Sequence, residues 1–191
     1  MSKLLKVGVI RGGVSTEREV SMNTGSEIIK NLNRDKYEVF DIVINSEREV
    51  FEKLENLDLD FVYIALHGIF GEDGRVQAIL ESLEIAYGGP GVMSSALCMD
   101  KELTKKIVET YGVRTAKGVA IRRGEEYNFQ EIKNKLGNRI IVKPNSGGSS
   151  IGVSFVEADP LEDKDIVLIL ETDSEKIELI TQAFEISKNE Q

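Results

Sequence analysis

The stretch RIIVKPNSGGSSIGV, residues 139–153, places a lysine, a glycine-rich loop and several hydroxyls after a predicted buried strand. The β-branched run at residues 140–142 indicates the strand, and Lys143 stands at its end. Unobstructed backbone N–H groups and a lysine ammonium bind polyphosphates in many proteins, so the stretch predicts a phosphate site. It is not a Walker A loop, because no Gly-Lys-Ser/Thr follows the glycines. The alternative is a flexible hairpin turn, which would not explain a lysine directly after a buried strand.

Two glutamates flank an arginine after the first predicted strand, at Glu17, Arg18 and Glu19. The pattern is typical of a solvated, charged first turn of a helix. Its position after Gly12-Gly13 also makes Glu17 a candidate for binding a cationic amine at the edge of a sheet. A charged partner would offset the cost of burying that carboxylate. Both interpretations stay open on this segment alone.

His67 is the single histidine of the chain, and it lies between a predicted apolar strand and the loop GIFGEDG. A lone histidine is more often a structural residue than a catalyst. The glycines that follow would let the backbone approach a ligand, so we favour a functional interpretation. A metal site at His67 is disfavoured, because no second histidine is present to share the ion.

Apolar runs alternate with helical patterns through the first half of the chain. Strands are predicted at residues 5–10, 37–43 and 60–66, and helices at residues 21–31, 50–54 and 74–83. Such βαβ units predict a parallel sheet covered on both faces, with ligands beyond the carboxyl ends of the strands. The Gly12 turn and His67 would then meet at one edge. Three glycines and a proline within residues 87–91 predict a domain boundary in or just after that segment.

The second half is predicted to mix helices and strands. One long helix is predicted at residues 94–111, with Lys101, Lys105 and Lys106 clustered on it. Further strands are predicted at residues 117–121, 140–143, 151–156 and 165–170, and further helices at residues 128–136 and 175–186.

Composition narrows the class of protein. The chain has 191 residues, of which 41% are hydrophobic and 30% charged, as is ordinary for a globular protein. A net charge of −9 argues against a broad nucleic-acid surface but allows a local basic pocket for a nucleotide. No apolar run approaches the roughly 20 residues of a membrane span, so we expect a cytoplasmic protein without a membrane partner. The single cysteine, Cys98, lies in the apolar run ALCM, where we expect a buried structural thiol.

The first glycine turn could also indicate a dinucleotide-binding oxidoreductase. Its glycines, Gly8, Gly12 and Gly13, do not fit the G-x-G-x-x-G spacing of that class. Asp41 falls near the place of a ribose-binding acid, but one acid after a second strand is weak support. The glycine spacing therefore disfavours an oxidoreductase.

Four segments resemble a known family: GGVSTEREVS (12–21), YIALHGIFGEDG (63–74), YGGPGVMSSALCMDK (87–101) and IVKPNSGGSSIGVS (141–154). In this order they resemble the D-alanine–D-alanine ligases of the ATP-grasp superfamily. The resemblance implies an α/β fold: a parallel-sheet, Rossmann-like pre-ATP-grasp domain at residues 1–92, then the first part of an α+β ATP-grasp domain at residues 93–191. It also implies that ATP phosphorylates the carboxylate of one D-alanine. The amine of a second D-alanine then attacks the acyl phosphate, giving the dipeptide of peptidoglycan.

Site residues follow from the resemblance by motif position. Glu17 would bind the ammonium of the first D-alanine, and Ser149 would orient it through a hydrogen-bonded network, which makes both catalytic. His67 and Gly68 would lie near the carboxylate of that substrate, and Ser21 would belong to the same site. The residues implied at the ATP phosphates are Lys101, Lys143, Gly147, Gly148, Ser149 and Ser150. Closure of their loop would exclude water, which matters because an acyl phosphate hydrolyses readily.

Family members continue well past the length of this chain. The resemblance places there the ligands of Mg²⁺ or Mn²⁺, an arginine at the transferring phosphoryl group and the second D-alanine site. Because phosphoryl transfer depends on metal neutralisation of charge, a chain ending at Gln191 is expected to be inactive alone and to hold no metal. Residues 157–172 depart from the family pattern. The resemblance also implies a homodimer through the N-terminal domain. The alternative function is a non-catalytic module that binds a nucleotide or an amino acid.

Overall fold

The computed structural model describes residues 3–122, 124–137, 139–157 and 167–170. The chain divides into two compact units, Met1–Cys98 and Met99–Gln191. The division into domains at residues 92 and 93 stays a prediction. Among the described residues, no helix is long and apolar enough to cross a membrane.

Strands and helices alternate through the first unit. They are β1 (Leu5–Gly12), α1 (Arg18–Asn31), β2 (Tyr37–Ile44), α2 (Arg48–Leu54), β3 (Phe61–Ile64), α3 (Arg75–Ser82), β4 (Tyr87–Gly88) and α4 (Val92–Met99). The four strands form one sheet in the order β2-β1-β3-β4, and every pairing in it is parallel. This arrangement confirms the predicted α/β class.

The apolar run of β1 reflects its central place in this sheet. Val9 and Ile10 are fully buried on opposite faces of the strand, as expected where helices cover both faces of a parallel sheet. Gly8 has no room for a side chain, because a Cβ there would lie 2.9 Å from the Cδ1 atoms of Ile42 and Leu59. The core thus fixes β1 closely against its neighbours.

The second unit is a mixed α+β structure, as predicted. Its elements are α5 (Lys101–Thr110), β5 (Gly118–Ile121), α6 (Phe129–Leu136), β6 (Arg139–Pro144), β7 (Ser154–Glu157) and β8 (Val167–Leu170). The sheet order is β5-β8-β6-β7, with β6 and β7 antiparallel and β8 parallel to both β5 and β6. A small core of Ile121, Ile132, Leu136, Ile140 and Val142 joins α6 to the sheet.

The prediction of one long helix at residues 94–111 is wrong. Asp100 interrupts it with an extended backbone (φ −86°, ψ 105°) and caps α5, since its side chain accepts a hydrogen bond from the Leu103 N–H. Aspartate favours this N-cap position because its carboxylate satisfies a first-turn N–H group that has no partner within the helix. The apolar periodicity on both sides of Asp100 concealed the break.

Two further predictions need correction. Cys98 is exposed rather than buried, because α4 turns this apolar segment outward and buries only Ser95. The strand predicted at residues 151–156 begins only at Ser154, since the Val153 N–H donates to the Ser150 carbonyl and prolongs the preceding turn. The helix predicted at residues 175–186 lies outside the described residues.

Candidate functional site

The first group of predicted site residues gathers where β1 and β3 end. Neighbouring parallel strands whose chain connections depart in opposite directions leave a crevice at their carboxyl ends, and ligands bind there in open α/β sheets. In the order β2-β1-β3-β4, that point lies between β1 and β3. The turn at Gly12-Gly13 ends β1, and His67 follows β3. A Cβ on Gly12 would lie 2.5 Å from the Ile44 carbonyl oxygen, so this turn requires glycine.

Glu17 is buried at this edge, with 8% of its surface exposed. Its carboxylate packs against the backbone of Gly68, where an added Cβ would lie 2.7 Å from Glu17 Oε2. The interpretation as a solvated first turn is therefore wrong for Glu17, although it holds for the exposed Glu19. A carboxylate held in a buried position favours a cationic ligand group over water.

Hydrogen bonds hold the Nε2 atom and the carbonyl of His67, and a carboxylate lies near its Nδ1 atom. Its Nε2 lies 2.9 Å from the Thr24 hydroxyl, and its Nδ1 lies 3.6 Å from Glu72 Oε1. The carbonyl of His67 accepts a hydrogen bond of 2.8 Å from the Ser15 hydroxyl. That same hydroxyl oxygen accepts from the Glu17 N–H at 3.2 Å, so one serine joins the two predicted site residues.

Ser21 and Arg18 hold the glycine turn in place. The buried Ser21 hydroxyl accepts a hydrogen bond of 2.8 Å from the Gly12 N–H. Arg18 Nη1 donates to the carbonyls of Gly13 and Ile44, each at 2.8 Å. Both side chains thus fix the backbone that precedes Glu17. A substrate contact by Ser21 stays a prediction.

Asp41, which the dinucleotide alternative would place on a ribose, is instead paired with Arg11. The Nε–Oδ1 and Nη2–Oδ2 distances are 2.7 and 2.5 Å. Two parallel hydrogen bonds of this kind are the strong form of an arginine–carboxylate pair. The pairing accounts for Asp41 without a ribose, which weakens the oxidoreductase alternative further.

The second group of predicted site residues lies at the end of β6. Lys143 is the penultimate residue of that strand, and the buried Asn145 follows it. The Asn145 side-chain oxygen accepts a hydrogen bond of 2.9 Å from the Glu102 N–H. Its carbonyl accepts from the Lys101 N–H at 3.2 Å. Asn145 therefore ties the glycine loop to the first turn of α5.

Lys101 reaches the same loop with its side chain. Its Nζ donates to the Gly147 carbonyl at 2.8 Å and to the Asn145 carbonyl at 3.2 Å. Burial lowers the pKa of Lys101, repulsion from Lys143 lowers it further, and Asp100 opposes the shift. Two lysines close enough for the charge of Lys143 to lower the pKa of Lys101 form a local positive site in a protein of negative net charge.

The loop itself has an unusual backbone. Gly147 has a φ of 126°, and the exposed Ser149 and Ser150 adopt left-handed φ values of 51° and 59°. Such values are uncommon for residues with a side chain and often occur at ligand-binding loops. The loop does connect an antiparallel pair, β6 and β7, as the hairpin alternative requires. The hairpin and the phosphate site are therefore compatible features of one structure.

Sequence reasoning missed several residues that position the site. They are Ser15, Thr24, Glu72, Met99 and Asn145. The hydroxyl at Ser15, two residues before Glu17, was a usable signal, because serine commonly accepts a hydrogen bond from the N–H two residues on. The other contacts depend on which strands and helices become neighbours. Glu17 and Ser149 belong to different units, and their interaction stays a prediction.

Sequence comparison finds D-alanine–D-alanine ligases among the relatives of this chain. A family model described as the D-ala D-ala ligase N-terminus matches residues 6–57. The chain is 46% identical over 155 residues to a D-alanine–D-alanine ligase of Clostridium beijerinckii, covering 81% of this chain and 50% of the relative. It is 47% identical over 169 residues to one of Bacillus anthracis, covering 88% of this chain and 53% of the relative. The chain thus spans about half the length of the curated relatives it matches.

Solved structures agree with the sequence relatives. The Bacillus anthracis D-alanine–D-alanine ligase matches with a TM-score of 0.75 and 42% identity, covering 95% of this chain and 54% of that one. The same enzyme complexed with ATP matches with a TM-score of 0.74 and 41% identity, over 95% of this chain and 55% of that one. At these identities the likeness extends beyond the fold to the sequence that builds it.

Proposed function

The chain belongs to the D-alanine–D-alanine ligase family, and from that premise we propose that the protein joins two D-alanines while converting ATP to ADP. The observation that carries this proposal is the buried Glu17 carboxylate, packed against the backbone of Gly68. A buried carboxylate in this position suits the ammonium group of an amino acid.

In this proposal the first unit binds the first D-alanine. Glu17 pairs with the substrate ammonium. The attraction between these opposite charges offsets the free energy of removing both groups from water. His67 and Gly68 lie beside that carboxylate and would contact the other end of the amino acid. The Thr24 and Glu72 contacts hold the imidazole in place, so it can orient a substrate carboxylate without first being ordered.

The second unit would bind the phosphates of ATP. Lys101 and Lys143 supply positive charge, and the loop from Gly147 to Ser150 supplies backbone N–H groups and hydroxyls. Charge at these positions stabilises the negative charge that develops during phosphoryl transfer. Movement of the exposed serines over the phosphates would exclude water and protect the acyl phosphate from hydrolysis.

Mg²⁺ or Mn²⁺ would complete the neutralisation of phosphate charge when bound. The described residues contain no group of three or more histidine, cysteine, aspartate or glutamate side chains placed to hold a metal ion. The described part of the chain therefore does not fit a metal site, and none of the steps proposed for Glu17, His67, Lys101 or Lys143 depends on one.

An ATP-dependent reaction on a peptidoglycan precursor is consistent with a cytoplasmic location.

A homodimer through the first unit is the last part of the proposal. Helices α2 and α3 border a groove of about 820 Å³, with Phe51, Phe70 and Ile79 on its walls. Arg48 and Glu52 also line it, so the surface carries both signs of charge and could complement a second copy of itself. A monomer in sedimentation velocity at micromolar concentration would contradict this part.

The test of the proposed function is ADP release by the full-length protein with magnesium, measured with and without D-alanine. We expect release that depends on D-alanine. Glu17→Gln should raise the concentration of D-alanine required at the first site far more than that of ATP, because only the amino acid loses a charged partner. ATP binding without D-alanine-dependent turnover would favour the non-catalytic binding module instead.

A further inference from the structure

Three lysines of the second unit form no ion pair with a described residue, although acidic residues outnumber basic ones in the chain. The chain contains 33 acidic and 24 basic residues, so carboxylates are in excess. No carboxylate of the described residues forms an ion pair with Lys101, Lys105 or Lys143. The neighbouring Lys106, by contrast, pairs with Glu102 one turn away. The positive charge of these three lysines is therefore not neutralised by an ion pair with a described residue.

Lys105 is the least satisfied of the three. Lys101 donates to two loop carbonyls, whereas the ammonium of Lys105 is buried and has no hydrogen-bond partner among the described residues. Glu109 exerts some attraction on Lys105, but its carboxylate accepts a hydrogen bond from the Thr115 hydroxyl and forms no ion pair with this lysine. An ammonium in this situation destabilises the folded state unless another group satisfies it.

The position of Lys105 relates it to the predicted phosphate site. It stands four residues after Lys101, so the two side chains project from the same face of α5. Burial lowers the pKa of Lys105, and the charge of Lys143 lowers it further against the attraction of Glu109. Lys143 has the same effect on Lys101. Both lysines of α5 therefore lie within electrostatic reach of the lysine that ends β6.

We propose that Lys105 is a third phosphate-binding lysine, whose ammonium donates a hydrogen bond to a phosphate oxygen of the nucleotide, the partner it lacks in the protein. The identity of the nucleotide rests on the function proposed above. Lys105 borders a pocket of about 190 Å³ between α5 and β5, which leaves its flexible stem room to move. Three ammonium groups around one polyphosphate would match its charge better than two.

The experiment replaces Lys105 with methionine, which keeps most of the stem and removes the charge, in the full-length protein. Binding of ATP, ADP and adenosine is measured by titration calorimetry without D-alanine, and the unliganded protein is melted. We expect a roughly tenfold or greater loss of ATP affinity, from the value of a charge-assisted hydrogen bond. ADP should lose less and adenosine less than twofold. The unliganded variant should melt no lower than the wild type, because an unsatisfied buried charge is gone.

Lys106→Met is the matched control, since it removes a neighbouring exposed lysine and should leave the ATP-to-adenosine ratio unchanged. Lys105→Gln provides a second, polar variant with the same expected loss. An unchanged ATP affinity, or equal losses for ATP and adenosine, would overturn the proposal. So would a lower melting temperature with wild-type ATP binding, which would identify a structural ion pair. The proposed function fails separately, if ADP release does not depend on D-alanine while Lys105 still controls ATP binding.

Discussion

Gly68 offers the most direct test of how the backbone positions Glu17. A Cβ at residue 68 would lie 2.7 Å from Glu17 Oε2, whereas ordinary contact begins at 3.4 Å, so Gly68→Ala displaces the carboxylate by about 0.7 Å. Gly68 also has a φ of 70°, a conformation that costs alanine roughly 1–2 kcal/mol. A misplacement of about 1 Å can reduce a reaction that depends on orientation by about a hundredfold.

We therefore expect Gly68→Ala to raise the concentration of the first D-alanine needed for half-maximal rate roughly ten- to a hundredfold. The requirement for ATP should change less than about twofold, because the Glu17 carboxylate is not among the proposed phosphate-binding residues. Steady-state kinetics with one substrate varied at a time measures both. The melting temperature should fall, since the backbone conformation is strained in the variant.

Gly89→Ala is the control for that strain. Gly89 has a φ of 128°, and nothing lies within 4 Å of the place of its Cβ. This variant should lose stability while keeping the wild-type requirement for D-alanine. If Gly68→Ala behaves in the same way as Gly89→Ala, the contact between Gly68 and Glu17 has no role in substrate binding and the reasoning is refuted.

Two further predictions concern loops. Asn145→Ala should destabilise the protein by about 1–3 kcal/mol, because the Glu102 N–H loses its acceptor; it should also weaken ATP binding, and an unchanged melting temperature would contradict the role. Asp73 accepts a hydrogen bond of 2.8 Å from the Phe70 N–H. Burial acts to raise the pKa of Asp73, but hydrogen bonds from Arg75 and from this N–H outweigh burial. The pKa of Asp73 is therefore lowered from its ordinary value of 3.8. The stability it contributes is present above that value and is lost as pH falls through the lower folded pKa. Asp73→Asn should therefore melt below the wild type at neutral pH, by a margin that shrinks in acid; a constant margin would refute this.

The fold was largely predictable because its strands carry their own signals. The runs of β1 and β6 are apolar on both faces, and Gly12 stops the first where the backbone turns to a positive φ. These are local properties of the chain. The break at Asp100 was not predictable from periodicity, since apolar spacing continues on both sides of it. The exposure of Cys98 depends on which face of α4 packs inward, which composition does not reveal.

The candidate site likewise has residues that local sequence signals predict and residues whose place depends on the folded structure. Glu17 and His67 could be predicted because each stands beside glycines at the end of a strand. Their partners could not, since the contact between Ser15 and His67 joins residues 52 positions apart. Such a contact requires that β1 and β3 become neighbours and that their ends lie level. Sequence patterns predict the first condition as a class of fold and do not determine the second.

The hydrogen bonds between Asn145 and the first turn of α5 affect how the second unit would bind an anion. Lys101 and Lys143 come from separate elements, yet Asn145 fastens the end of β6 to the first turn of α5. Their spacing is therefore set when the unit folds, and binding need not fix it again. This preorganisation reduces the entropy lost on association. The exposed Ser149 and Ser150 then adjust to the bound anion, whereas Lys101 and Lys143 are already in place.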